Sequence, residues 1–292
     1  MPKLLQKPRV IARYQRDLLT KLLPACTTLQ QAQRELSWIQ KELPREQWEQ
    51  ACTQRGCNLM PLQYILGNQP FGSVNIKCRP GVLIPRNDTE EWCGELVDLF
   101  HGSDTFSVLD MCTGSGCIAL YVATELSNVT VLGGDISQDC ISLANENIDL
   151  NKDIIKGKIS VDSMDLFQPL AGEKKFDVVV SNPPYIPTRE LDKQEEVEES
   201  VRLYEPRLAL EGDLPVFKAL VTYHIIPSQC KIFMLEIGSR EQGQYTRSLL
   251  NELWVVGLRL DSAFRPRNVI GFRTDIKSSI KRKVMSKITE LL

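Results

Sequence analysis

Hydrophobic residues near the start of the chain recur at the three- and four-residue spacing of an amphipathic helix. Pro44 marks the expected end of this helix, because proline cannot continue the backbone hydrogen bonding. The pattern predicts a small helical N-terminal domain over residues 1–65, with Trp38 and Trp48 as core anchors. The apolar positions that carry the pattern are Leu29, Ala32, Leu36, Ile39 and Leu43.

The next segment, residues 66–90, changes to the alternating pattern of short strands. Apolar residues stand at Phe71, Val74 and Ile76, and residues 82–84 form a second apolar run. The turn formers Pro80 and Gly81 separate the two runs. We therefore predict a linker that contains a β-hairpin with its turn at Pro80-Gly81.

From residue 91 to residue 292, strand patterns alternate with helical patterns such as 116–126 and 137–150. This alternation implies an α/β domain whose mostly parallel sheet is covered by helices on both faces. The last two strands follow one another without a helix, so we expect them to form an antiparallel pair at one end of the sheet. The seven predicted strands are 106–110, 129–135, 158–161, 176–181, 231–237, 254–260 and 270–276.

The alternation fails between residues 186 and 210, where the sequence becomes acidic. One interpretation is a solvated, mobile acidic helix, and the other is a lid or docking surface beside the site. Both interpretations stay open on the sequence alone. The acidic residues are Glu190, Asp192, Glu195, Glu196, Glu198 and Glu199.

The overall composition excludes several classes of protein. The balance of 35 basic against 37 acidic residues argues against a protein held on nucleic acid by bulk charge. No apolar run approaches the roughly 18 residues that a membrane span requires. Nine cysteines without a Cys-x-x-Cys pair, and only His101 and His224 as histidines, argue against a disulfide framework, a metal site or a Ser/His/Asp triad. We expect no membrane, metal or direct nucleic-acid partner.

The first 21 residues carry six basic side chains against Asp17 alone, with apolar residues interleaved. An acid-poor amphipathic start is typical of a mitochondrial transit peptide. The segment lacks serine enrichment, so it equally suits the basic first helix of a folded domain.

A glycine-rich turn follows the first strand of the α/β domain. Gly114 and Gly116 let a ligand approach the backbone closely, and the helix behind them offers free N–H groups. Asp135 ends the second strand, 19 residues after Gly116, where its carboxylate can accept both hydroxyls of a ribose. The loop favours S-adenosylmethionine, although it also satisfies the dinucleotide fingerprint of NAD enzymes. The predicted cofactor-binding residues of this region are Asp110, Cys112, Thr113, Gly114, Ser115, Gly116 and Asp135.

The tetrapeptide Asn182-Pro183-Pro184-Tyr185 follows an apolar strand, so it lies at the same edge of the sheet as the glycine loop. Its two prolines stiffen the turn and remove two N–H donors, which leaves carbonyls as the exposed backbone groups. The Asn182 side-chain oxygen and the Pro183 carbonyl can accept N–H bonds from a planar amide or amine, on which the Tyr185 ring can stack. We predict that these four residues bind the substrate and catalyse methylation of a planar nitrogen, chiefly by positioning it. The motif alone leaves adenine, cytosine and glutamine as possible substrates.

Several further blocks, from about residue 60 to the C-terminus, resemble the HemK family of protein-(glutamine-N5) methyltransferases, which modify peptide-chain release factors. The linker block of residues 85–90, Pro-Arg-Asn-Asp-Thr-Glu, is what separates this family from DNA and RNA methyltransferases with the same tetrapeptide. The other matching blocks are residues 61–67, 71–72, 82–84, 165–167, 205–206, 209–210 and 235–238.

The resemblance implies a seven-stranded, Rossmann-like S-adenosylmethionine methyltransferase domain behind a helical, substrate-binding N-terminal domain. Leu166 would lie against the adenine, and Asn182 would lie between cofactor and substrate. Pro183–Tyr185 would hold the glutamine of the Gly-Gly-Gln loop of a class I release factor, a substrate that places the activity in translation termination. The cofactor contacts that the resemblance implies are Cys112–Gly116, Asp135, Asp165, Leu166 and Asn182.

The chain departs from the family pattern at three places. Cys112 stands where a smaller residue is usual, and Asn87 stands where Pro or Trp would be unsurprising. The stretch after Glu211-Gly212 lacks the family's fuller run of Gly and Asp. Since none of these departures touches the tetrapeptide, we expect an active enzyme.

Residues 66–70 and 89–92 resemble the fungal mitochondrial branch of the family more than the bacterial branch. We therefore expect a mitochondrial matrix protein acting on the mitochondrial release factor, with the cytoplasm as the alternative location. Two other functions stay open: N-methylation of adenine or cytosine in nucleic acid, and non-catalytic binding of a release factor or ribosome. The first should show a basic face, whereas the insert is acidic; the second predicts a decayed site, whereas the motifs are intact.

Overall fold

The computed structural model describes residues 8–172, 174–193 and 197–292, with side chains from residue 13 onward. Residues 1–7 of the basic start, and Glu195 and Glu196 of the acidic insert, lie outside the described residues. The chain divides into a helical unit, Met1–Asn68 with Glu198–Tyr204, and a larger unit, Gln69–Val197 with Glu205–Leu292. The three-part division at residues 65 and 90 stays a prediction.

Helices predominate before residue 67 and alternate with strands afterwards. The α-helices are α1 (Pro8–Leu22), α2 (Leu29–Glu42), α3 (Trp48–Gly56), α4 (Leu62–Leu66), α5 (Asn87–Phe100), α6 (Cys117–Glu125), α7 (Gln138–Asn151), α8 (Thr188–Leu191), α9 (Glu199–Tyr204), α10 (Arg207–Leu210), α11 (Leu214–Ala219), α12 (Arg240–Ser248) and α13 (Ser278–Met285). The strands are β1 (Asn68–Phe71), β2 (Val74–Lys77), β3 (Phe106–Met111), β4 (Val129–Asp135), β5 (Lys158–Ser163), β6 (Val178–Ser181), β7 (Ile232–Glu236), β8 (Trp254–Leu260), β9 (Pro266–Arg273) and β10 (Glu290–Leu291). A π-helical turn, Leu220–Ile225, continues α11.

The helical unit has its own hydrophobic core, to which α1, α2 and α3 contribute. Leu22, Ile39 and Cys52 are buried in it. Helix α2 ends at Glu42, ahead of Pro44, which confirms the predicted stop.

The two tryptophans of this unit differ, and the prediction that Trp38 anchors the core is wrong. Trp38 is 50% exposed, because it lies on the polar face of α2 next to the buried Ile39. Trp48 packs against the core, and its indole N–H donates to the Leu43 carbonyl at 3.0 Å.

The described part of the acidic insert forms three short helices, α8, α9 and α10, rather than one acidic helix. Helix α9 belongs to the helical unit, where the Tyr204 hydroxyl donates to the Asn58 carbonyl at 2.7 Å. In the larger unit, the Ile186 N–H donates to the Leu210 carbonyl at 2.9 Å, and the Gly212 N–H donates to the Ile186 carbonyl at 3.0 Å. These bonds join the two ends of the insert next to the tetrapeptide.

The linker contains a β-hairpin, but the predicted position of its turn is wrong. Strands β1 and β2 form a two-stranded sheet that turns at residues 72–73 instead of residues 80–81. Gly72 has a φ of +56°, and a Cβ there would lie 2.3 Å from a ring carbon of Tyr121, so the turn requires glycine. The run that begins at Val82 forms no strand, because Val82 buries its side chain against α7.

Within the described residues, the larger unit is built on an eight-stranded sheet in the order β10-β8-β9-β7-β6-β3-β4-β5. Strands β7, β6, β3, β4 and β5 are parallel, whereas β9 pairs antiparallel with both β7 and β8. All seven predicted strands are present, so the α/β class and the antiparallel pair are confirmed. Strand β9 begins at Pro266, earlier than the predicted residue 270, and the two-residue edge strand β10 was not predicted.

Both faces of this sheet are buried, as β6 shows. Val178 and Val180 belong to a core shared with α5 and α6, while Val179 belongs to a second core shared with α11. None of the described helices is long and apolar enough to span a membrane.

The carboxyl ends of the parallel strands meet at one edge of the sheet. Strands β3, β4, β6 and β7 end there at Met111, Asp135, Ser181 and Glu236. The Ser181 hydroxyl donates to the Met111 carbonyl at 2.6 Å, which joins the ends of β6 and β3. The predicted cofactor loop and the tetrapeptide are therefore neighbours.

Candidate active site

A cavity of about 210 Å³ lies at this edge of the larger unit, between the strand ends, residues 81–89 of the linker, and α10. Asp110, Gly116, Pro183 and Tyr185 are not among its lining residues. In the described part of the chain, no group of three or more His, Cys, Asp or Glu residues is arranged to hold a metal ion. The predicted site residues that line the cavity are Cys112, Thr113, Gly114, Ser115, Asp135, Asp165, Leu166, Asn182 and Pro184.

Asp110 lies beneath the glycine loop and shapes it from inside. Its carboxylate accepts the Thr113 hydroxyl at 2.6 Å and the Ala119 N–H at 3.2 Å. Burial raises the pKa of Asp110 to about 7, although these two hydrogen bonds act in the opposite direction. The side chain therefore holds the loop and the start of α6 in place, without reaching the cavity surface.

The loop reverses direction through three residues with positive φ: Cys112 at +61°, Gly114 at +56° and Gly116 at +79°. A Cβ at Gly114 would meet no atom within 4 Å, so this glycine leaves the cavity wall open. A Cβ at Gly116 would lie 3.0 Å from the Ala144 Cβ, so that glycine lets α6 approach α7. Cys112 holds the same left-handed conformation with a side chain, at a cost of about 1 kcal/mol.

Asp135 lines the cavity, and both of its carboxylate oxygens accept backbone hydrogen bonds. One oxygen accepts the Gly114 N–H at 2.9 Å, and the other accepts the Ser137 N–H at 2.9 Å. Burial raises the pKa of Asp135, and the backbone hydrogen bonds partly offset that effect. Since a carboxylate oxygen can accept two hydrogen bonds, each oxygen retains acceptor capacity for a ligand hydroxyl.

The segment Asp165–Phe167 forms an apolar part of the wall. Leu166 is buried and lines the cavity, and the Asp165 carboxylate accepts the Phe167 N–H at 2.9 Å. His224 supports the segment from behind, because its Nε2 donates to the Leu166 carbonyl at 2.9 Å. Burial lowers the pKa of His224, which favours the neutral ring. Sequence reasoning assigned His224 no role in the site.

Within the tetrapeptide, Asn182 and Pro184 line the cavity, while Pro183 is buried. The Asn182 Nδ2 donates to the Thr89 hydroxyl oxygen at 3.0 Å. The Tyr185 hydroxyl donates to Glu236 at 3.1 Å, away from the lining of the cavity. Stacking of the Tyr185 ring on a substrate amide therefore stays a prediction.

Glu236, at the end of β7, joins three side chains behind the site. Its carboxylate accepts the Thr89 hydroxyl at 2.7 Å, the Trp92 indole N–H at 2.9 Å and the Tyr185 hydroxyl at 3.1 Å. Burial raises the pKa of Glu236, and the three hydrogen bonds partly offset this. None of these positions except Tyr185 was predicted as a site residue. In the sequence, these positions were marked only by lying in or beside residues 85–90 and 235–238, two of the segments that resemble the family.

An ion pair fixes one side of the cavity. The Arg86 Nη2 donates to both carboxylate oxygens of Glu205 at 2.8 Å, and Glu205 is buried. Arg86 and the neighbouring Pro206, Leu208 and Ala209 all line the cavity. This pair therefore ties the linker to the part of the insert that forms the apolar wall.

Comparisons with known proteins agree with this architecture. Residues 94–222 match the family model "Methyltransferase small domain". The chain is 38% identical to "Mitochondrial MRF1 N(5)-glutamine methyltransferase MTQ1" of Saccharomyces cerevisiae, over 91% of this chain and 87% of the relative. It is 34% identical to "Probable MRF1 mitochondrial N(5)-glutamine methyltransferase mtq1" of Schizosaccharomyces pombe, over 84% of this chain and 88% of the relative.

A solved structure shows the same fold. The catalytic domain of hMettl16, crystallised with a MAT2A 3'UTR hairpin, superposes with a TM-score of 0.54 at 16% identity, over 78% of this chain and 84% of that one. The match confirms a Rossmann-like methyltransferase fold, and at this identity it says nothing of the substrate.

Fold, site and comparisons together define a methyltransferase, and the prediction of an enzyme is confirmed. The chain belongs to the family of release factor N5-glutamine methyltransferases, as the resemblance predicted. The two fungal relatives are mitochondrial by name, which confirms the predicted mitochondrial location.

Proposed function

We propose that this protein transfers a methyl group from S-adenosylmethionine to the side-chain nitrogen of the glutamine in the Gly-Gly-Gln loop of a mitochondrial release factor. One observation carries the proposal: Asn182 lines the same cavity as Asp135 and the glycine loop, with its amide nitrogen already bonded to Thr89. The amide oxygen is thus the end of the side chain left to meet a substrate N–H.

The cavity offers the groups that the cofactor requires. Asp135 would accept the ribose hydroxyls, and Gly114 leaves room for the cofactor beside the loop backbone. Leu166 and Ile136 would enclose the adenine, since both line the cavity and are apolar. Bound there, S-adenosylmethionine supplies an electrophilic methyl group on a sulfonium.

The tetrapeptide would hold the substrate amide. Asn182 Oδ1 would accept one N–H bond at the cavity, and the carbonyl of Pro183, which lies outside the cavity lining before substrate binds, would accept the other. The two acceptors would orient the nitrogen toward the methyl group. Held in this way, the amide nitrogen would take the methyl group from the sulfonium sulfur and would then release its proton to water. Because an amide nitrogen is a weak nucleophile, most of the rate enhancement comes from positioning and from the paired acceptors.

Methylation of a nucleobase is the competing function, and the surroundings of the cavity disfavour it. The wall formed by the insert is apolar at Leu208 and Ala209. Its exposed side carries Asp192 and Glu211, both paired with Arg207. Because Arg207 is paired with both carboxylates, these three residues present no unpaired positive charge to a phosphate backbone.

Transfer of radiolabelled methyl groups tests the proposal directly. The protein is incubated with labelled S-adenosylmethionine and, in parallel, with a mitochondrial release factor, mitochondrial RNA or duplex DNA. Label in the release factor alone supports the proposal, and label in nucleic acid alone contradicts it. A release factor whose Gly-Gly-Gln glutamine is replaced by glutamate is the matched control and should stay unlabelled.

A further inference from the structure

A chain of hydrogen bonds runs from Asn182 through Thr89, which both line the cavity, to Glu236 behind them. The Asn182 Nδ2 lies 3.0 Å from the Thr89 Oγ1, and that oxygen lies 2.7 Å from a carboxylate oxygen of Glu236. Thr89 is 1% exposed and Glu236 is 4% exposed, so water cannot readily replace either partner. The three residues lie far apart in sequence: Asn182 follows β6, Thr89 is on α5 and Glu236 ends β7.

The direction of each hydrogen bond in this chain is determined by Trp92. An indole N–H can only donate, and that of Trp92 lies 2.9 Å from the same Glu236 oxygen that faces Thr89. As an ionised carboxylate oxygen it can only accept, and the Thr89 hydroxyl donates its single proton to it. The Thr89 oxygen is then left as an acceptor, so Asn182 must turn its NH₂ group toward Thr89. As the two ends of an amide point apart, Asn182 presents its oxygen to the cavity.

We propose that Thr89 and Glu236 are positioning residues that fix the orientation of the Asn182 amide, and so make the site accept an N–H donor. This inference rests on the proposed function only in naming glutamine as that donor. Without the relay, the Asn182 amide could turn by 180° and present NH₂, which repels a substrate NH₂ group.

The same carboxylate also reaches the other end of the tetrapeptide. The second oxygen of Glu236 accepts the Tyr185 hydroxyl at 3.1 Å. The Gln242 Nε2 donates to the Tyr185 backbone carbonyl at 2.8 Å, so both the side chain and the backbone of Tyr185 are held. Glu236 thereby fixes the first and last residues of the motif relative to each other.

Substitutions at Thr89 separate this role from simple packing. Thr89→Val keeps the shape of the side chain but removes the oxygen that accepts the Asn182 N–H. We expect kcat to fall about 100-fold, because the substrate nitrogen is then misplaced relative to the methyl group. The affinity for S-adenosylmethionine, measured by calorimetry, should change less than about threefold, because valine keeps the shape of the cavity lining at this position and Thr89 is not one of the predicted cofactor ligands. Thr89→Ser restores the hydroxyl and should recover most of the lost turnover. Thr124→Val removes another buried hydroxyl, on α6 and outside the cavity, and serves as the matched control.

Glu236→Gln distinguishes the relay from an effect of negative charge. The Trp92 N–H should select the rotamer that keeps the Gln oxygen toward Trp92 and Thr89, so the relay survives. We expect turnover much closer to wild type than that of Thr89→Val. If Glu236→Gln loses as much turnover as Thr89→Val, the charge of Glu236 matters and the relay is refuted.

A folded Thr89→Val protein with near-normal kcat would also overturn the inference. Should that variant prove unstable, Asn182→Asp decides the question, because aspartate keeps an acceptor but cannot donate to Thr89. Loss of turnover in Asn182→Asp supports the relay, and retained turnover refutes it. If the wild-type protein does not methylate the release factor, the proposed function is refuted instead. The variants are then compared on whichever nitrogen substrate the wild-type protein methylates.

Discussion

The carboxylate of Asp135 accepts the backbone N–H of Gly114 at 2.9 Å, so the predicted ribose acceptor and the glycine loop form one wall of the cavity. The bond links the end of β4 to the turn after β3. A substitution at either residue should therefore change the affinity for the cofactor.

Substitution of Asp135 tests its assignment as a cofactor ligand. Asp135→Asn replaces one acceptor oxygen with a donor and removes the charge, so we expect affinity for S-adenosylmethionine to fall about 10- to 100-fold. Asp139→Asn is the control, because it removes an exposed carboxylate from the first turn of α7. This variant should bind the cofactor with unchanged affinity. Equal affinities of the Asp135 variant and wild type, by calorimetry, would remove Asp135 from the binding site.

The two loop glycines should respond differently to a side chain. Gly114→Ala and Gly102→Ala both place alanine at positive φ in open space, and each should lower the free energy of unfolding by about 1 kcal/mol. Only Gly114→Ala should weaken cofactor binding, because Gly114 lines the cavity. From the sequence alone, Gly116→Val is expected to block the cofactor site. In the structure, its side chain would meet Ala144, so this variant should mainly destabilise the fold. Equal cofactor affinity in both alanine variants would contradict this distinction.

Burial of Asp110 predicts a pH-dependent contribution to stability. Its pKa is about 7 in the folded chain, against an ordinary value of 3.8. Between these values the folded chain holds a proton that the unfolded chain releases, so the free energy of unfolding falls as pH rises. The contribution is fully present below the ordinary pKa and is lost as pH passes about 7.

Asp110→Asn lacks this titration, which provides the measurement. The stability of wild type relative to Asp110→Asn, from urea unfolding, should decrease between about pH 5 and about pH 8. A difference that stays constant over that range would show that Asp110 does not titrate there.

The ion pair of Arg86 with Glu205 should stabilise the fold and the cavity wall. Arg86→Gln removes the guanidinium from a buried carboxylate, and we expect a loss of about 1–3 kcal/mol together with weaker cofactor binding. Arg79→Gln breaks a solvent-exposed pair with Glu146 and should destabilise the fold much less than Arg86→Gln. If the two variants are equally stable in chemical unfolding, the Arg86 pair is not structural.

The strands and the edge at which they end could be predicted from the sequence. Strand β4 was predicted with the observed limits, Val129 and Asp135, because an apolar run there meets a carboxylate at the start of a loop. The tetrapeptide was placed correctly at the end of β6 for the same reason. Strong local patterns sufficed in both cases.

Features that depend on packing between distant segments could not be predicted. Pro80-Gly81 resembles a hairpin turn, yet the chain after it packs Val82 against α7 instead of pairing. The site role of Glu236 depends on Thr89, which is 147 positions away, and no local pattern connects them. The exposure of Trp38 likewise depends on which face of α2 meets the core.

Mass spectrometry of a mitochondrial release factor, incubated with this protein and S-adenosylmethionine, shows whether the Gly-Gly-Gln glutamine is the residue that is methylated. We expect a gain of one methyl group, about 14 Da, located by fragmentation on that glutamine. Asn182→Ala should bind the cofactor but give no gain. If protein that is shown to bind the cofactor leaves the release factor unmodified, or modifies it at another residue, this protein does not methylate the Gly-Gly-Gln glutamine.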